Sequence, residues 1–261
     1  MRHSGDIVAE RLPHAAAGLI AQLRARGPRV HCVTNAVAQA YTANALLAAG
    51  AVPSMTLSAG EIGGFVASAD ALLANLGTLD PERREAILIA VDGAERRGLP
   101  WVLDPVFVDR SAPRLAFARE LAGRRPRVVR LNHAEFAALS GSEGTREAAM
   151  AYARATGVVV ALSGADDLVT DGTRAVAIGN GHPLMAKVTA MGCAGSALLA
   201  ACLTVEPDAL VASAAALAML GVAGEIAAET ARGPGSFAIA ILDALAALDA
   251  ATLAARARVA G

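Results

Sequence analysis

The sequence predicts an α/β protein with a central, mainly parallel sheet flanked by helices on both faces and a C-terminal part that is all helical. Up to about residue 190, short aliphatic runs alternate with longer helical patterns, which is typical of β-α-β units. Beyond residue 190 only helical patterns rich in alanine remain. Because no linker, internal repeat or low-complexity segment interrupts this order, we expect a single domain over residues 1–261.

The β runs are rich in valine, leucine and isoleucine and end at polar residues or glycine. In chain order they cover Val30–Thr34, Ala71–Asn75, Trp101–Leu103, Arg127–Arg130 and Val158–Ser163. A hairpin is expected where Val169–Thr170 and Ala175–Ile178 are joined by Asp171-Gly172-Thr173-Arg174, since Asp-Gly favours a tight turn.

Helical patterns lie between these runs and after the last of them. They cover Ala36–Ala49, Pro81–Arg97, Ala112–Ala122, His133–Leu139, Thr145–Thr156, Cys193–Leu203, Pro207–Thr230 and Ser236–Leu248. The clearest start is at Asp80-Pro81, where aspartate caps the helix and proline occupies its first turn. Residues 250–261, rich in alanine and arginine, are expected to be a fraying helix end or a tail.

Composition and charge exclude several classes of function. The 261 residues are 55% hydrophobic and carry a formal net charge of −1, so neither a nucleic acid nor a membrane surface is an expected partner. Apolar runs such as Ala209–Leu220 end before the roughly 18 residues of a membrane span, and residues 1–14 are too polar for a signal peptide. Three irregularly spaced cysteines are typical of a reduced, cytoplasmic protein.

Polar residues follow the β runs, at the place where open α/β sheets bind ligands. These candidates are Thr34-Asn35, Asn75-Leu76-Gly77-Thr78, Asp104-Pro105-Val106, Arg130 to Glu135 and Ser163-Gly164, together with Gly192 to Ser196 at the start of the helical part. The sequence contains no P-loop, no complete dinucleotide fingerprint and no zinc motif.

The residue types at these positions indicate a phosphate-type anion site. Gly192 lets a ligand approach the backbone, and the helix that follows directs its positive end outward, which would lower the pKa of the Cys193 thiol. Asp104 and Glu135 form a carboxylate pair of the kind that suits Mg²⁺, and Arg130 could clamp phosphates. For each residue alone, a structural role is the alternative: a packed cysteine, a helix cap or a surface charge.

From about Val30 to Leu248 the sequence resembles the hydroxyethylthiazole kinases of the ribokinase-like superfamily. The most specific stretch runs from Gly179-Asn180-Gly181-His182-Pro183 through Leu184-Met185-Ala186-Lys187-Val188-Thr189 to Gly192-Cys193. Supporting stretches are Thr34-Asn35, Thr42 to Ala51 with Met55, Asn75 to Leu79, Leu103 to Val106, Arg130 to Glu135 and Gly233-Pro234-Gly235-Ser236-Phe237.

The resemblance implies a homotrimer with active sites between subunits, which phosphorylates the primary alcohol of 4-methyl-5-(2-hydroxyethyl)thiazole with ATP in thiamine salvage. It implies that the substrate contacts Met55, Asn35, Gly77, Thr78 and Ala190, that ATP contacts Arg130 and Ser163, and that Asp104 and Glu135 lie on the Mg²⁺ side. Cys193 stands where most ribokinase-like enzymes carry the catalytic aspartate, and it follows the anion-loop residue Gly192.

The sequence departs from the family pattern at three places near this site. Ala190-Met191 replaces Gly-Thr, Phe107-Val108-Asp109-Arg110 replaces a Gly-x-Gly-Ala run, and Thr56-Leu57-Ser58-Ala59-Gly60 replaces an acidic stretch. At residue 190 we expect a backbone conformation natural to glycine. The departures leave two alternatives open: a kinase for another small heteroaromatic alcohol, or a catalytically weakened protein that still binds thiazole or nucleotide.

Overall fold

The computed structural model describes the backbone of residues 4–261 and the side chains from Val8 onward, and its centre is a nine-stranded sheet. The strands are β1 (Arg29–Val33), β2 (Val52–Ser54), β3 (Ala71–Asn75), β4 (Trp101–Asp104), β5 (Val128–Asn132), β6 (Val159–Ser163), β7 (Asp167–Thr170), β8 (Ala175–Ile178) and β9 (Val259–Ala260). Their order is β2-β1-β3-β4-β5-β6-β7-β8-β9. All pairs from β2 to β6 are parallel, and β7, β8 and β9 join antiparallel.

Helices connect the parallel strands and then form the last part of the chain. They are α1 (Ser4–Arg26), α2 (Gln39–Ala49), α3 (Ile62–Ser68), α4 (Pro81–Arg97), α5 (Ala112–Gly123), α6 (His133–Ser140), α7 (Arg146–Thr156), α8 (Met191–Cys202), α9 (Ala209–Ala228), α10 (Pro234–Ala247) and α11 (Ala250–Arg256). Short 3-10 turns lie at Val108–Arg110 and Pro183–Lys187. Asp80 caps α4 as expected, its carboxylate accepting the Arg83 N–H at 2.8 Å.

Two apolar layers cover the sheet, because alternate strand residues point to opposite faces. On β3, Leu73 enters one layer with α1, α2 and α8 to α11, whereas Leu72 and Ala74 enter the other with α3 to α7. These layers confirm the predicted fold class, with helices on both faces and an all-helical C-terminal part.

Helix α9 lies at the centre of the first layer and is very apolar. By length and composition alone it could cross a membrane, but 83% of its apolar window is buried inside the fold. Small side chains let its neighbours approach closely. A Cβ at Gly221 would lie 2.7 Å from the carbonyl oxygen of Asn180, and one at Gly224 would lie 2.7 Å from the sulfur of Met185. The segment carrying Asn180 and Met185 therefore rests directly on the α9 backbone.

The prediction for residues 250–261 was wrong. They form α11 and then β9, which pairs with β8 through Ile178 and Val259. The segment is held by side chains remote in sequence: the Arg258 guanidinium donates to Glu225 at 2.6 Å, and the Arg258 N–H donates to Asn180 Oδ1 at 2.6 Å. Such tertiary bonds leave no periodic pattern in the sequence.

Helices α1 and α3 and strand β2 were not predicted from the sequence. For α1 a signal was available, because Leu12, Ala16, Leu19 and Leu23 recur at helical spacing and are all buried. For β2, three residues are too few for an alternation to show, and the strand exists because Val52–Ser54 pairs with Arg29 to His31 of β1.

Two glycine-to-alanine substitutions test the close contact on α9. In Gly221→Ala the new Cβ meets the Asn180 backbone, so we expect the free energy of unfolding to fall by about 1–3 kcal/mol. Gly235→Ala in α10 is the matched control, since nothing lies within 4 Å of its Cβ. Alanine should there leave stability unchanged or raise it by up to about 1 kcal/mol. Urea unfolding followed by circular dichroism measures both, and equal effects would contradict the packing described.

Candidate active site

The carboxyl ends of the parallel strands meet at one edge of the sheet and form the wall of a cavity of about 760 Å³. Strand register places Asn75 beside Asp104 and Asn132 beside Ser163. The cavity is lined by ten of the residues expected at the site, namely Asn35, Gly77, Thr78, Asp104, Arg130, Glu135, Ser163, Ala190, Gly192 and Cys193. The structure thus brings together all the expected site residues except Met55.

Met55 lies elsewhere, directly after β2. Its side chain is half-buried and packs against the helical layer of the core, and it does not line the cavity of its own chain. The expectation that Met55 belongs to the same site therefore gains no support from the single chain.

Asn75 is the centre of a buried polar network on the cavity floor. Its Nδ2 donates to Asp104 Oδ2 at 2.8 Å and to Cys193 Sγ at 3.2 Å. Its Oδ1 accepts from Asn35 Nδ2 at 3.2 Å and from the Gly77 N–H at 3.0 Å. Asn35 Nδ2 also approaches Cys193 Sγ at 3.3 Å. From the sequence, Asn75 was predicted only as a polar residue at a strand end, with no role of its own.

Asp104 is a buried carboxylate with an incomplete set of partners. Its Oδ2 accepts from Asn75 and, at 2.8 Å, from the hydroxyl of Ser196 on α8, and no described residue donates to its Oδ1. Burial raises the pKa of Asp104 to about 6, and the negative charge of Glu135 adds to this, while Arg130 opposes it. Negative charge at this floor is therefore only partly compensated.

Glu135 braces the neighbouring loop. Its Oε2 accepts the Asn132 N–H at 2.9 Å in a capping box at the start of α6, and its Oε1 accepts the Phe107 N–H at 2.8 Å. The same loop is held by Arg114, whose Nη1 donates to the Val106 carbonyl at 2.8 Å. The predicted role of Glu135 as a helix cap is therefore confirmed, and the residue also lines the cavity, where its part in a Mg²⁺ site stays a prediction.

Arg130 lies against the first turn of α8. A Cβ at position 192 would lie only 2.7 Å from Arg130 Nη1, so a larger residue there would force the guanidinium to move. The buried Nε of Arg130 has no partner among the described residues. The first turn of α8, from Met191, leaves backbone N–H groups without helical acceptors beside this guanidinium. These groups form a corner with positive charge and free N–H donors that could hold an anion, and it is called the anion-binding corner below.

Three residues on the cavity wall have left-handed backbone conformations, with φ of 44° at Thr78, 56° at Phe107 and 73° at Ala190. Of the described non-glycine residues only Arg125 shares this region. The expectation for residue 190 is therefore confirmed: alanine occupies a conformation natural to glycine, at a cost of about 1–2 kcal/mol. Strain of this kind concentrates at binding and catalytic sites.

A second cavity of about 530 Å³ lies beside the first. The two share Arg130, Ser163, Met191 and Gly192 among their lining residues. The rest of the second cavity is formed by the turn after β6, the segment from Asn180 to Ala186, and the Leu217–Gly221 face of α9. The site thus has two lobes that meet at the anion-binding corner.

The expected low pKa of Cys193 was wrong. Burial raises the pKa of the Cys193 thiol from 9.0 to about 11, and the charge of Asp104 adds to this. Hydrogen bonds from Asn35 and Asn75 and the charge of Arg130 oppose the rise but do not cancel it. The helix end therefore does not produce a thiolate, and the side chain is a neutral thiol at neutral pH.

Thiol labelling tests this assignment. All three cysteines are free and buried; burial raises the pKa of Cys202 to about 12 and that of Cys32 further. Since a pKa two units higher lowers the thiolate fraction about 100-fold, iodoacetamide should alkylate Cys193 at pH 8 about 100-fold more slowly than the unfolded chain. The rate should rise about tenfold per pH unit and level off only near pH 11. Rapid alkylation of Cys193 in the native protein, mapped by mass spectrometry, would contradict it.

Comparisons with known proteins agree with this arrangement. The sequence model of the Hydroxyethylthiazole kinase family matches residues 20–251. The chain is 47% identical to the "Probable hydroxyethylthiazole kinase" of Agrobacterium fabrum, over 88% of each chain. It superposes on the hydroxyethylthiazole kinase protein of Pyrococcus horikoshii with a TM-score of 0.90 and 37% identity, over 94% of this chain and 98% of that one.

A more distant structure supports the fold. A ribokinase-like superfamily protein of Enterococcus faecalis has a TM-score of 0.67 at 14% identity, over 85% of this chain and 88% of that one. This likeness concerns the fold alone, which is ribokinase-like as expected. The family match, in contrast, covers the strand ends, the loop before α8 and the helical layer. The chain belongs to the hydroxyethylthiazole kinase family.

Proposed function

We propose that this protein transfers the γ-phosphoryl group of ATP to the primary alcohol of 4-methyl-5-(2-hydroxyethyl)thiazole, a reaction of thiamine salvage. The observation that carries the proposal is the two-lobed site, because its lobes meet at Arg130 and Gly192. One lobe can hold the alcohol, the other the nucleotide, and the shared corner the phosphoryl group between them. Family membership supports the choice of alcohol.

The alcohol belongs in the larger lobe, above the Asn75 network. There the thiol of Cys193, fixed by Asn35 and Asn75, can hold the hydroxyl in place. Because the pKa of Cys193 is raised to about 11, the thiol is a poor proton acceptor, so we assign it to orientation rather than to base catalysis. Phosphoryl transfer through a loose transition state requires little proton removal before the new bond forms.

The phosphates belong at the corner. As the alcohol oxygen bonds to the γ-phosphorus, the bond from that phosphorus to the bridging oxygen breaks, ADP leaves, and the hydroxyl proton is released. Arg130 and the N–H groups at the start of α8 lie where they can stabilise the negative charge of the transferring group. Ser163 lines both lobes and is positioned to contact the nucleotide.

The carboxylates fit a magnesium ion held largely by water and phosphate oxygens. The Oδ1 of Asp104 is free of hydrogen bonds within the described chain, and the burial that raises its pKa leaves charge that a cation would compensate. Mg²⁺ takes one or two protein carboxylates and completes its coordination with water and phosphate oxygens. Asp104 and Glu135 would hold the ion, which when bound neutralises phosphate charge.

A kinase assay with two arginine variants tests the reaction. ADP release from MgATP should rise on adding the thiazole alcohol, with thiazole phosphate formed in equal amount. Arg130→Ala should lower kcat/KM for ATP about 100-fold, because it removes a charge-assisted donor from the transition state. Arg29→Ala is the control: this exposed arginine lies at the other end of β1, paired with Asp70, and its loss should change kcat/KM less than twofold.

The same assay separates the alternatives. No stimulation of ADP release by millimolar thiazole alcohol would contradict the proposal. If a pyrimidine or pyridine alcohol then supported turnover, the substrate assignment alone would be wrong. Calorimetric binding of thiazole without any turnover would indicate a binding protein instead.

We propose in addition that the active form is a homotrimer with its sites between subunits. Strand β2 is an edge strand, and beside it lie exposed apolar side chains, Leu47 on α2 and Val52 on β2. Exposed apolar patches mark interaction surfaces. The position of Met55 agrees with this, because it follows the edge strand β2 and does not line the cavity of its own chain.

A charged substitution at that edge tests the assembly. The side chain of Leu47 is 58% exposed, so Leu47→Glu should leave the isolated fold intact while placing a charge in the interface. Light scattering should give three times the chain mass for the wild type and less for the variant. Ala151→Glu, on the exposed face of α7, should keep the trimer. If the wild type is monomeric at every concentration tested and still fully active, the proposal of active sites between subunits is wrong.

The cysteines support a reducing compartment. Cys32, Cys193 and Cys202 are all free and buried. Cytosolic proteins keep such thiols reduced. We therefore propose a cytoplasmic location, in agreement with a salvage reaction that consumes ATP.

A further inference from the structure

We propose that Phe107 determines substrate specificity, its phenyl ring forming an aromatic wall of the larger lobe that packs against the heteroaromatic ring of the alcohol. This inference rests on the proposed function. It concerns a residue that neither the network on the cavity floor nor the anion-binding corner uses.

The backbone at Phe107 is held in a conformation that a bulky residue seldom adopts. Its φ is 56°, in the left-handed region. Four bonds fix the loop: the Phe107 N–H donates to Glu135 at 2.8 Å, the Val106 carbonyl accepts from Arg114 at 2.8 Å, and two backbone bonds close the 3-10 turn at Val108–Arg110. The loop therefore fixes where the ring is presented.

The ring does not serve the core. Phe107 is 53% exposed and belongs to neither apolar layer, yet it lines the larger lobe. Val37, on the same cavity wall, is 69% exposed. The loop bonds hold the strained backbone, but the ring itself packs in neither apolar layer, so its place at the cavity leaves it available to a ligand.

The chemistry of the lobe favours a ligand with one polar end and one flat apolar end. Its floor is polar, with Asn35, Asp104 and Cys193, while Val37 and Phe107 contribute apolar surface to the wall. A short alcohol attached to a small heteroaromatic ring matches both parts, with the hydroxyl on the floor and the ring against Phe107. Arg110 lies over the ring with its guanidinium carbon 5.5 Å from the ring centroid, which makes this phenyl ring part of a stacked group.

Removing the ring should weaken binding of the alcohol and not of ATP. An aromatic pair contributes about threefold to tenfold in affinity beyond apolar contact. Phe107→Gly should therefore raise KM for the thiazole alcohol about tenfold or more, and Phe107→Leu, which keeps apolar bulk, about threefold. KM for ATP should stay within twofold of the wild-type value in both variants. Phe107→Tyr, which keeps an aromatic ring, should have the wild-type KM for the alcohol.

A comparison of acceptors distinguishes stacking from a merely structural role. Against 2-cyclopentylethanol, a saturated ring alcohol, the wild type should discriminate in favour of the thiazole alcohol, and Phe107→Gly should reduce that discrimination. Arg125→Gly is the matched control, because Arg125 has φ of 55° and is exposed away from the cavity. Both glycine variants should melt at a higher temperature than the wild type, but only Phe107→Gly should change KM.

The outcomes separate this inference from the proposed function. If the wild type turns over the thiazole alcohol and Phe107→Gly, folded by its melting curve, has an unchanged KM for it, Phe107 is not a specificity residue. A rise in KM for ATP instead would also overturn the inference. If the wild type shows no turnover with any alcohol, the proposed function fails. Calorimetric titration with the thiazole alcohol then tests the proposed contact of Phe107 with its ring. An unchanged affinity of Phe107→Gly for the alcohol would overturn that contact, and a tenfold loss of affinity would support it.

Discussion

The side-chain amide of Asn75 is the interaction on which the site depends. It joins the ends of β1, β3 and β4 to α8 through Asn35, Asp104 and Cys193. Every one of these groups is buried, so a missing partner would leave an unsatisfied polar atom at low dielectric. Because one amide bonds to both strand-end residues and Cys193, α8 cannot shift relative to the strand ends without breaking these bonds. The network thus fixes the cavity floor as part of the fold.

Around this floor the walls are built differently, from backbone held out of its preferred conformations. Thr78, Phe107 and Ala190 have left-handed backbone conformations, and the guanidinium of Arg130 packs closely against Gly192. Bonds to neighbouring regular structure hold these residues in place. For example, Glu135, which belongs to the capping box of α6, also accepts the Phe107 N–H. The floor and the walls therefore differ in what positions them. Hydrogen bonds fix the polar side chains of the floor, whereas strained loop backbone places the wall residues where a helix or strand could not.

Much of the fold and of the site could be predicted from the sequence, for identifiable reasons. Aliphatic runs end at polar residues, and parallel strands end at one edge, so Asp104, Arg130 and Ser163 had to converge. Cys193 shows where such reasoning stops. Its place at a helix start was visible, but the direction of its pKa depends on burial and on Asp104, which only the packed structure reveals. Likewise β9 depends on Arg258 meeting Glu225 and Asn180, contacts that no local pattern encodes.

Helix α9 has a consequence for how the chain is made. During synthesis α1 is available early to cover one side of it, but α10, which packs on another side, is translated only after α9 is complete. Until α10 has folded onto it, one face of a helix apolar enough to cross a bilayer lacks its cover, although α1 and α8 already pack on other faces. The acid of this helix, Glu225, likewise waits for its partner Arg258. The last two helices and β9 therefore protect the new chain from aggregation as well as completing its sheet and its helical layer.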